Sequence, residues 1–148
     1  MVREEYSVSL KSIVEEQGLT VLHAAKDFDT ARVATADINR PALQLAGFYD
    51  YFDPKRLQLI GRVESTYLQT LGDEARLSAL ERFMRFDISA LILCHDTQPM
   101  PELMELAEKY DRNLLSTKED TSTFMADLIS MLRNAMAPRV TLHGVLVE

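Results

Sequence analysis

Cysteine occurs once in these 148 residues, at Cys94. A single thiol excludes an internal disulfide, and such usage fits a reducing cytosol. Glycine occurs five times, at Gly18, Gly47, Gly61, Gly72 and Gly144, and is isolated each time. Neither a phosphate-cradling P-loop nor a dinucleotide fingerprint can be assembled from glycines so placed. Basic charge is also scarce: 16 Lys and Arg against 23 Asp and Glu leave a formal net charge of -7. Nucleic-acid recognition needs a basic face, so no nucleic-acid partner is expected. No apolar run approaches the length of a membrane span, and the N-terminus carries no apolar signal-type segment, so no membrane partner is expected either. No second Cys or His stands at ligand spacing from Cys94 or His95, and no metal site is expected.

What is present is a globular composition, 47% apolar, in a chain long enough for one domain. At this length about two thirds of the unfolded surface is buried on folding. The organising stretch runs from Asp37 to Phe52. Four of the eleven aromatic residues, Phe48, Tyr49, Tyr51 and Phe52, sit within it. Pro41 fixes its own φ and can open a short helix at its first position, and Gly47 can stop that helix in the left-handed conformation. Turn, short helix and aromatic knot together can wall a ligand pocket or plug one edge of the domain.

Around this stretch the chain alternates. Ser7 or Ser9 can cap a helix through Gln17 that Gly18 stops. Strands are expected over 19–24 and 32–38, then over Leu57 to Ile60. A short helix is expected from Val63 to Leu71. Asp73 is placed to cap a clearer helix carrying Leu77, Leu80 and Met84, with Glu81 and Arg85 as an i,i+4 pair. Ala90 to Cys94 is a continuous apolar run, as suits a strand covered on both faces. Pro101 can start a helix with Leu103, Leu106, Ala107 and Tyr110 on one stripe. A short strand follows over 113–116. Asp120 or Thr121 then caps the longest helix, with Phe124, Leu128 and Leu132 inward, which Pro138 ends. Val140 to Val147 reads as a last strand whose phase flips at His143-Gly144. Strands alternating with helices from Leu57 onward predict an α/β fold, with a mixed or parallel sheet and crossover helices. The ending on an apolar strand reads as the entry to a further segment.

Candidate chemistry is sparse. Cys94 reads as a buried core thiol and His95 as a turn residue. His95-Asp96 nevertheless closes the presumed central strand at its C-terminal end, where open α/β sheets place ligands. The segment Leu115 to Lys118 leads into the longest helix, whose N-terminus can receive an anion or simply be capped. Arg40, beside the aromatics, is a fitting donor for a carboxylate or phosphate. Arg40 and Tyr51 are the ligand-binding candidates.

Several motifs carry a resemblance in order. They are Leu10 to Leu19, Asp37-Ile38 with Arg40-Pro41, Leu45-Ala46-Gly47, Asp50-Tyr51-Phe52 and Leu57 to Gly61. Leu114-Leu115 with Thr117-Lys118, Thr123-Phe124, Ala137-Pro138-Arg139 and His143 to Val147 follow. Together they resemble the N-terminal domain of the bacterial HPr kinase/phosphorylase family. Two positions depart: His95 stands where the family often has a basic or small polar residue, and Glu148 replaces the usual Asp. The resemblance implies a fold like the substrate-binding N-terminal domain of Mur ligases. It implies residues 1–137 as an N-terminal regulatory domain and 138–148 as linker and first strand of a kinase domain, with the P-loop shortly after Glu148. It further implies a cytoplasmic, hexameric parent using ATP and Mg²⁺. That parent phosphorylates a serine of the phosphocarrier HPr with ATP or pyrophosphate and reverses this by phosphorolysis, controlling carbon catabolite repression. No cofactor is implied for this segment. His143 matches a histidine of the family's active site, and that role is expected in the parent alone. Two other readings of the segment are a small-molecule-sensing module using a pocket beside Arg40 and Tyr51, and a purely structural or assembly domain.

Overall fold

A computed structural model describes residues 6–137. The elements are β1 (Val8–Ser9), α1 (Leu10–Gln17), β2 (Thr20–His23), β3 (Arg32–Val33), β4 (Ile38–Asn39) and α2 (Ala42–Leu45), followed by β5 (Leu57–Ile60), α3 (Arg62–Thr70), α4 (Asp73–Met84), β6 (Leu91–Leu93), α5 (Pro101–Tyr110), β7 (Leu114–Ser116) and α6 (Thr121–Met136). A five-stranded sheet has the order β2-β7-β6-β5-β4. Strands β4 to β7 are parallel neighbours, and β2 pairs antiparallel with β7 at one edge. A second, two-stranded sheet pairs Val8 with Val33 and Ser9 with Arg32. The α/β architecture with a mostly parallel sheet and crossover helices is therefore the observed one.

Burial explains why the parallel strands read as apolar runs. Leu57, Leu59, Ile92, Cys94 and Leu115 pack with Leu10 and Ile13 of α1, the small sheet and Phe124, Leu128 and Leu132 of α6. Ile60, Leu91, Leu93 and Leu114 pack instead with Leu45, Leu68, Leu80, Phe83, Leu103 and Leu106, from α2 through α5. Successive strand residues point to opposite faces, and both faces are covered, so no polar alternation survives. Truncating a fully buried central residue such as Ile92 to Ala costs about 2–5 kcal/mol by transfer and cavity terms.

Local signals set the helix ends. Ser9 Oγ accepts from Ser12 N at 3.1 Å, and Gly18 closes α1 at φ 64. Asp120 caps α6 by accepting from Thr123 N at 2.8 Å. Pro101 occupies the first turn of α5.

Four expectations change. The strand expected over 32–38 is two two-residue strands, β3 and β4, in different sheets. Pro41 and Gly72 are the residues flanking α2 and α4, so each helix starts one position from where the sequence placed it. Leu77 is 43% exposed, and Phe83 takes the inward position beside Leu80 and Met84. Glu81 turns from Arg85 to the neighbouring α5, accepting from Lys109 Nζ at 2.9 Å and Tyr110 Oη at 2.8 Å. A contact across two packed helices is available to its side chain, which the i,i+4 rule for an isolated helix does not consider. Residues 138–148, with the expected strand Val140 to Val147, lie outside the described residues.

Candidate functional site

The four parallel strands release their chains at one edge of the sheet. Arg40 follows β4, Gly61 follows β5, Cys94 and His95 follow β6, and Asp120 lies beyond β7 at the start of α6. Helix α3 leaves β5 toward one face, while α6 leaves β7 toward the other. Such a divergence opens a crevice outside the carboxyl ends of the strands. An open cleft of about 420 Å³ lies there, lined among others by Arg40, Arg62, His95, Asp120, Thr121 and Ser122.

Glu64 organises one wall. Its Oε1 accepts from Gly61 N at 2.7 Å and from Arg40 Nη2 at 2.8 Å. The first interaction is the helix-N-terminal half of a capping box, a glutamate reaching back over three residues. Gly61 is extended, not left-handed, so its glycine is a matter of space. A Cβ there would overlap Thr121 Oγ1 and come within 2.6 Å of Arg40 Nη2.

The opposite wall joins the loops after β6 and β7. His95 and Asp96 both take left-handed backbone, at φ 63 and 53. That turn lets His95 N donate to Glu119 O and Asp96 N to Thr117 O, each at 2.9 Å. His95 Nε2 accepts from Thr121 N at 3.3 Å, which requires a neutral ring with its proton on Nδ1. Asp120 has its carboxyl held below the usual carboxylate range by the Thr123 backbone N–H first, then by the Thr123 side chain, with the Arg62 guanidinium adding positive charge nearby. Burial pushes the Cys94 thiol up to about 11, against weaker lowering by Thr121 and Arg40. Protonated and fully buried, Cys94 is a core residue and no nucleophile.

The sequence candidates part company. Arg40 lines the cleft, whereas Tyr51 stands fully exposed at φ 62 and does not line it. The aromatic stretch also divides. Tyr49 stacks on Phe86 at 4.8 Å and Phe52 meets the same ring edge-on at 5.1 Å, plugging the domain against α4. Phe48 is half exposed. His143 lies outside the described residues. Glu64 and Arg62 escaped the sequence reading, and Thr121 entered it only as an alternative cap of the longest helix. The Gly61–Glu64 spacing was a usable signal, but nothing local announced that Arg40 would complete it. Among the described residues no group of three or more His, Cys, Asp or Glu is placed to hold a metal ion. No helix among them is long and apolar enough to cross a membrane.

Fold and cleft together define an open-sheet α/β domain with its polar crevice at the carboxyl edge. Among solved structures, the CBS and DRTGG domains of the regulatory region of Clostridium perfringens pyrophosphatase, in complex with the activator diadenosine tetraphosphate, share this fold. The TM-score is 0.60 at 17% identity, over 84% of this chain and 47% of that one. The family described as HPr Serine kinase N terminus matches residues 8–132. The chain belongs to that family. It is 38% identical over 141 residues to the HPr kinase/phosphorylase of Caldanaerobacter subterraneus subsp. tengcongensis, covering 95% of this chain and 46% of the relative. It is 36% identical over 143 residues to that of Lachnoclostridium phytofermentans, covering 97% and 46%. The chain thus spans about half the length of the curated relatives it matches.

Proposed function

We propose that this chain is the N-terminal regulatory part of an HPr kinase/phosphorylase. Its parent transfers phosphate from ATP, with Mg²⁺, or from pyrophosphate to a serine of HPr, and removes it again by phosphorolysis, in the cytoplasm and as a hexamer. The observation that carries this reading is the 38% identity sustained over 95% of the chain to a protein of that name. The five isolated glycines support a division of labour in which the phosphate loop lies beyond this segment. His143 then serves the parent's active site. An imidazole titrates close to neutral pH, so beside a transferring phosphoryl group it can donate a hydrogen bond or stabilise charge.

The test compares residues 1–148 with the full-length gene product on purified HPr. Serine phosphorylation and phosphorolysis by the full-length protein, with neither by the segment, is the expected result. A full-length protein inactive on HPr in both directions overturns the reading. In the active full-length protein, His143→Ala should depress both rates, because the two reactions cross related transition states. Unchanged rates and nucleotide affinity remove His143 from the site.

A further inference from the structure

We infer that a second groove, between helices α2, α3 and α4, binds a small carboxylate with an apolar tail. A chain of side-chain amides runs beneath α2. Gln58 Nε2 donates to Arg56 O at 2.9 Å, which turns Gln58 Oε1 toward Asn39. Asn39 Nδ2 donates to that oxygen at 2.7 Å and, with its other hydrogen, to Gln44 Oε1 at 3.1 Å. A backbone carbonyl only accepts, so the orientation of all three amides is fixed from Arg56 O outward. Gln44 therefore points its NH2 group away from Asn39. Gln44 is 7% exposed and lines the groove, and its Nε2 has no acceptor among the described residues. That nitrogen is not sealed from solvent, unlike the unpartnered Arg40 Nε and Thr121 Oγ1. The little surface Gln44 retains thus presents a free donor to the groove.

Arg82 supplies positive charge from α4. Its guanidinium sits 4.7 Å from the centre of the Tyr49 ring and against Gly47, where an added methyl would stand 3.8 Å from its Nη1. The ring face holds the cation, and its N–H groups make no hydrogen bond or ion pair among the described residues. Among the residues lining the groove Arg82 alone is charged, in a chain of net charge -7. The remaining surface is mostly apolar, with Leu45, Tyr67 and Leu71 at the sides and Ala75 and Ala79 of α4 as the floor. Small side chains one turn apart leave a groove of about 260 Å³ that the flanking helices do not fill. A guanidinium takes both oxygens of a carboxylate in one fork, and a primary amide donates to either. An apolar groove with a few convergent donors is the usual form of a small-molecule site. One cation and one amide match a single negative charge, and the apolar floor offers no donor to a third oxygen.

The groove lies wholly within this chain and takes no part in the phosphoryl transfer proposed above, so its test stands apart from the HPr assay. Acetate, butyrate and hexanoate are each titrated into labelled residues 1–148, with amide and side-chain shifts as the readout. Saturable shifts at the Gln44 side-chain NH2, Gly47 and Ala79 are expected, with affinity rising along the series as methylenes leave water. Hexanol, the matched uncharged probe, should bind about tenfold more weakly than hexanoate or worse. Hexanol binding as tight as hexanoate shows an apolar groove with no carboxylate site and overturns the assignment, as does tighter binding of inorganic phosphate. Arg82→Ala would also bare the Tyr49 ring, so two other variants carry the test. Gln44→Glu keeps an acceptor for Asn39 and replaces the free donor by a negative oxygen. Ala75→Leu, at an exposed position, fills the groove. Each should weaken hexanoate binding about tenfold or more with the circular dichroism spectrum unchanged. If Gln44→Glu does not fold, Ala75→Leu decides. Hexanoate affinity unchanged in a folded variant places the ligand elsewhere and overturns the inference, as does the absence of saturable shifts in the parent chain.

Discussion

Arg40 and Glu64 stand 24 positions apart in the sequence and meet at 2.8 Å, with the glutamate 2% exposed and the arginine 34%. The pair joins the end of β4 to the first turn of α3, and the same carboxylate oxygen also holds Gly61 N. A buried carboxylate with two donors is satisfied, but removing either partner strands the other. Arg40 is therefore part of the fold as well as of the cleft wall.

Glu64→Ala should accordingly destabilise the chain by about 2–4 kcal/mol, since it leaves a guanidinium and a backbone amide unmet. Glu64→Gln keeps an acceptor for Gly61 N and should lose less. Urea midpoints with unchanged slopes read both effects. Equal midpoints for Glu64→Ala and the parent chain would show that the pair is incidental. The same reasoning makes Arg40→Ala a poor binding probe by itself: a lost ligand and a loosened wall would appear together.

Gly61→Ala tests the close approach. The added methyl overlaps Thr121 Oγ1 and crowds Arg40 Nη2, so α3 and α6 must part at their N-termini. A cost of about 1–3 kcal/mol is expected from overpacking. Gly72 is the contrast, with open space within 4 Å of where a methyl would stand and no side-chain cap for α4. Gly72→Ser should gain a few tenths of a kcal/mol, roughly, by supplying that cap. Thermal melts of the two variants should move in opposite directions.

Cys94 contributes to the alkaline limb of stability, beside Tyr49, whose phenol is also pushed up from its usual 10.0 by burial. An ordinary thiol titrates near 9.0, and burial holds this one to about 11. The unfolded chain therefore loses the proton first as pH rises, and stability present below pH 9 is lost progressively toward pH 11. Denaturation midpoints of the parent chain and of Cys94→Ala should diverge in slope across that window, the variant being flatter. At neutral pH the folded thiol should resist alkylation. Rapid modification without unfolding would contradict both statements.

The legibility of the chain follows from where its information sits. Strands β5, β6 and β7 and helices α5 and α6 were readable because each carries its own signal. Leu91 to Leu93 form an apolar run, Pro101 opens α5, and Asp120 caps α6. Strands β3 and β4 have two residues each, too short for any period, so Arg32 to Ile38 looked like one strand. The aromatic stretch was visible as a cluster, but which rings turn inward depends on Phe83 and Phe86 of a distant segment. The cleft was half legible. Arg40, His95 and the N-terminus of α6 were each noticed singly, for local reasons. That they face one crevice is a property of the sheet order, and no local pattern contains it.

His95 offers the last test, because two of its properties can be separated. Its backbone sits at φ 63, and its Nε2 accepts from Thr121 N at 3.3 Å. Asparagine tolerates the left-handed region and carries a side-chain acceptor. Glycine tolerates the backbone but has no acceptor. Valine has neither, and its β-branch makes that φ strained by about 1–3 kcal/mol. Melting temperatures should therefore fall in the order Asn, Gly, Val, with His95→Asn nearest the parent chain. Amide exchange at Thr121 provides the second readout, since its protection depends on the acceptor and not on the strain. It should quicken in both His95→Gly and His95→Val, and least in His95→Asn. If glycine and valine prove equally stable, the left-handed turn at His95 is not under constraint. The joining of the β6 and β7 loops would then rest on the backbone bonds from His95 N to Glu119 O and from Asp96 N to Thr117 O.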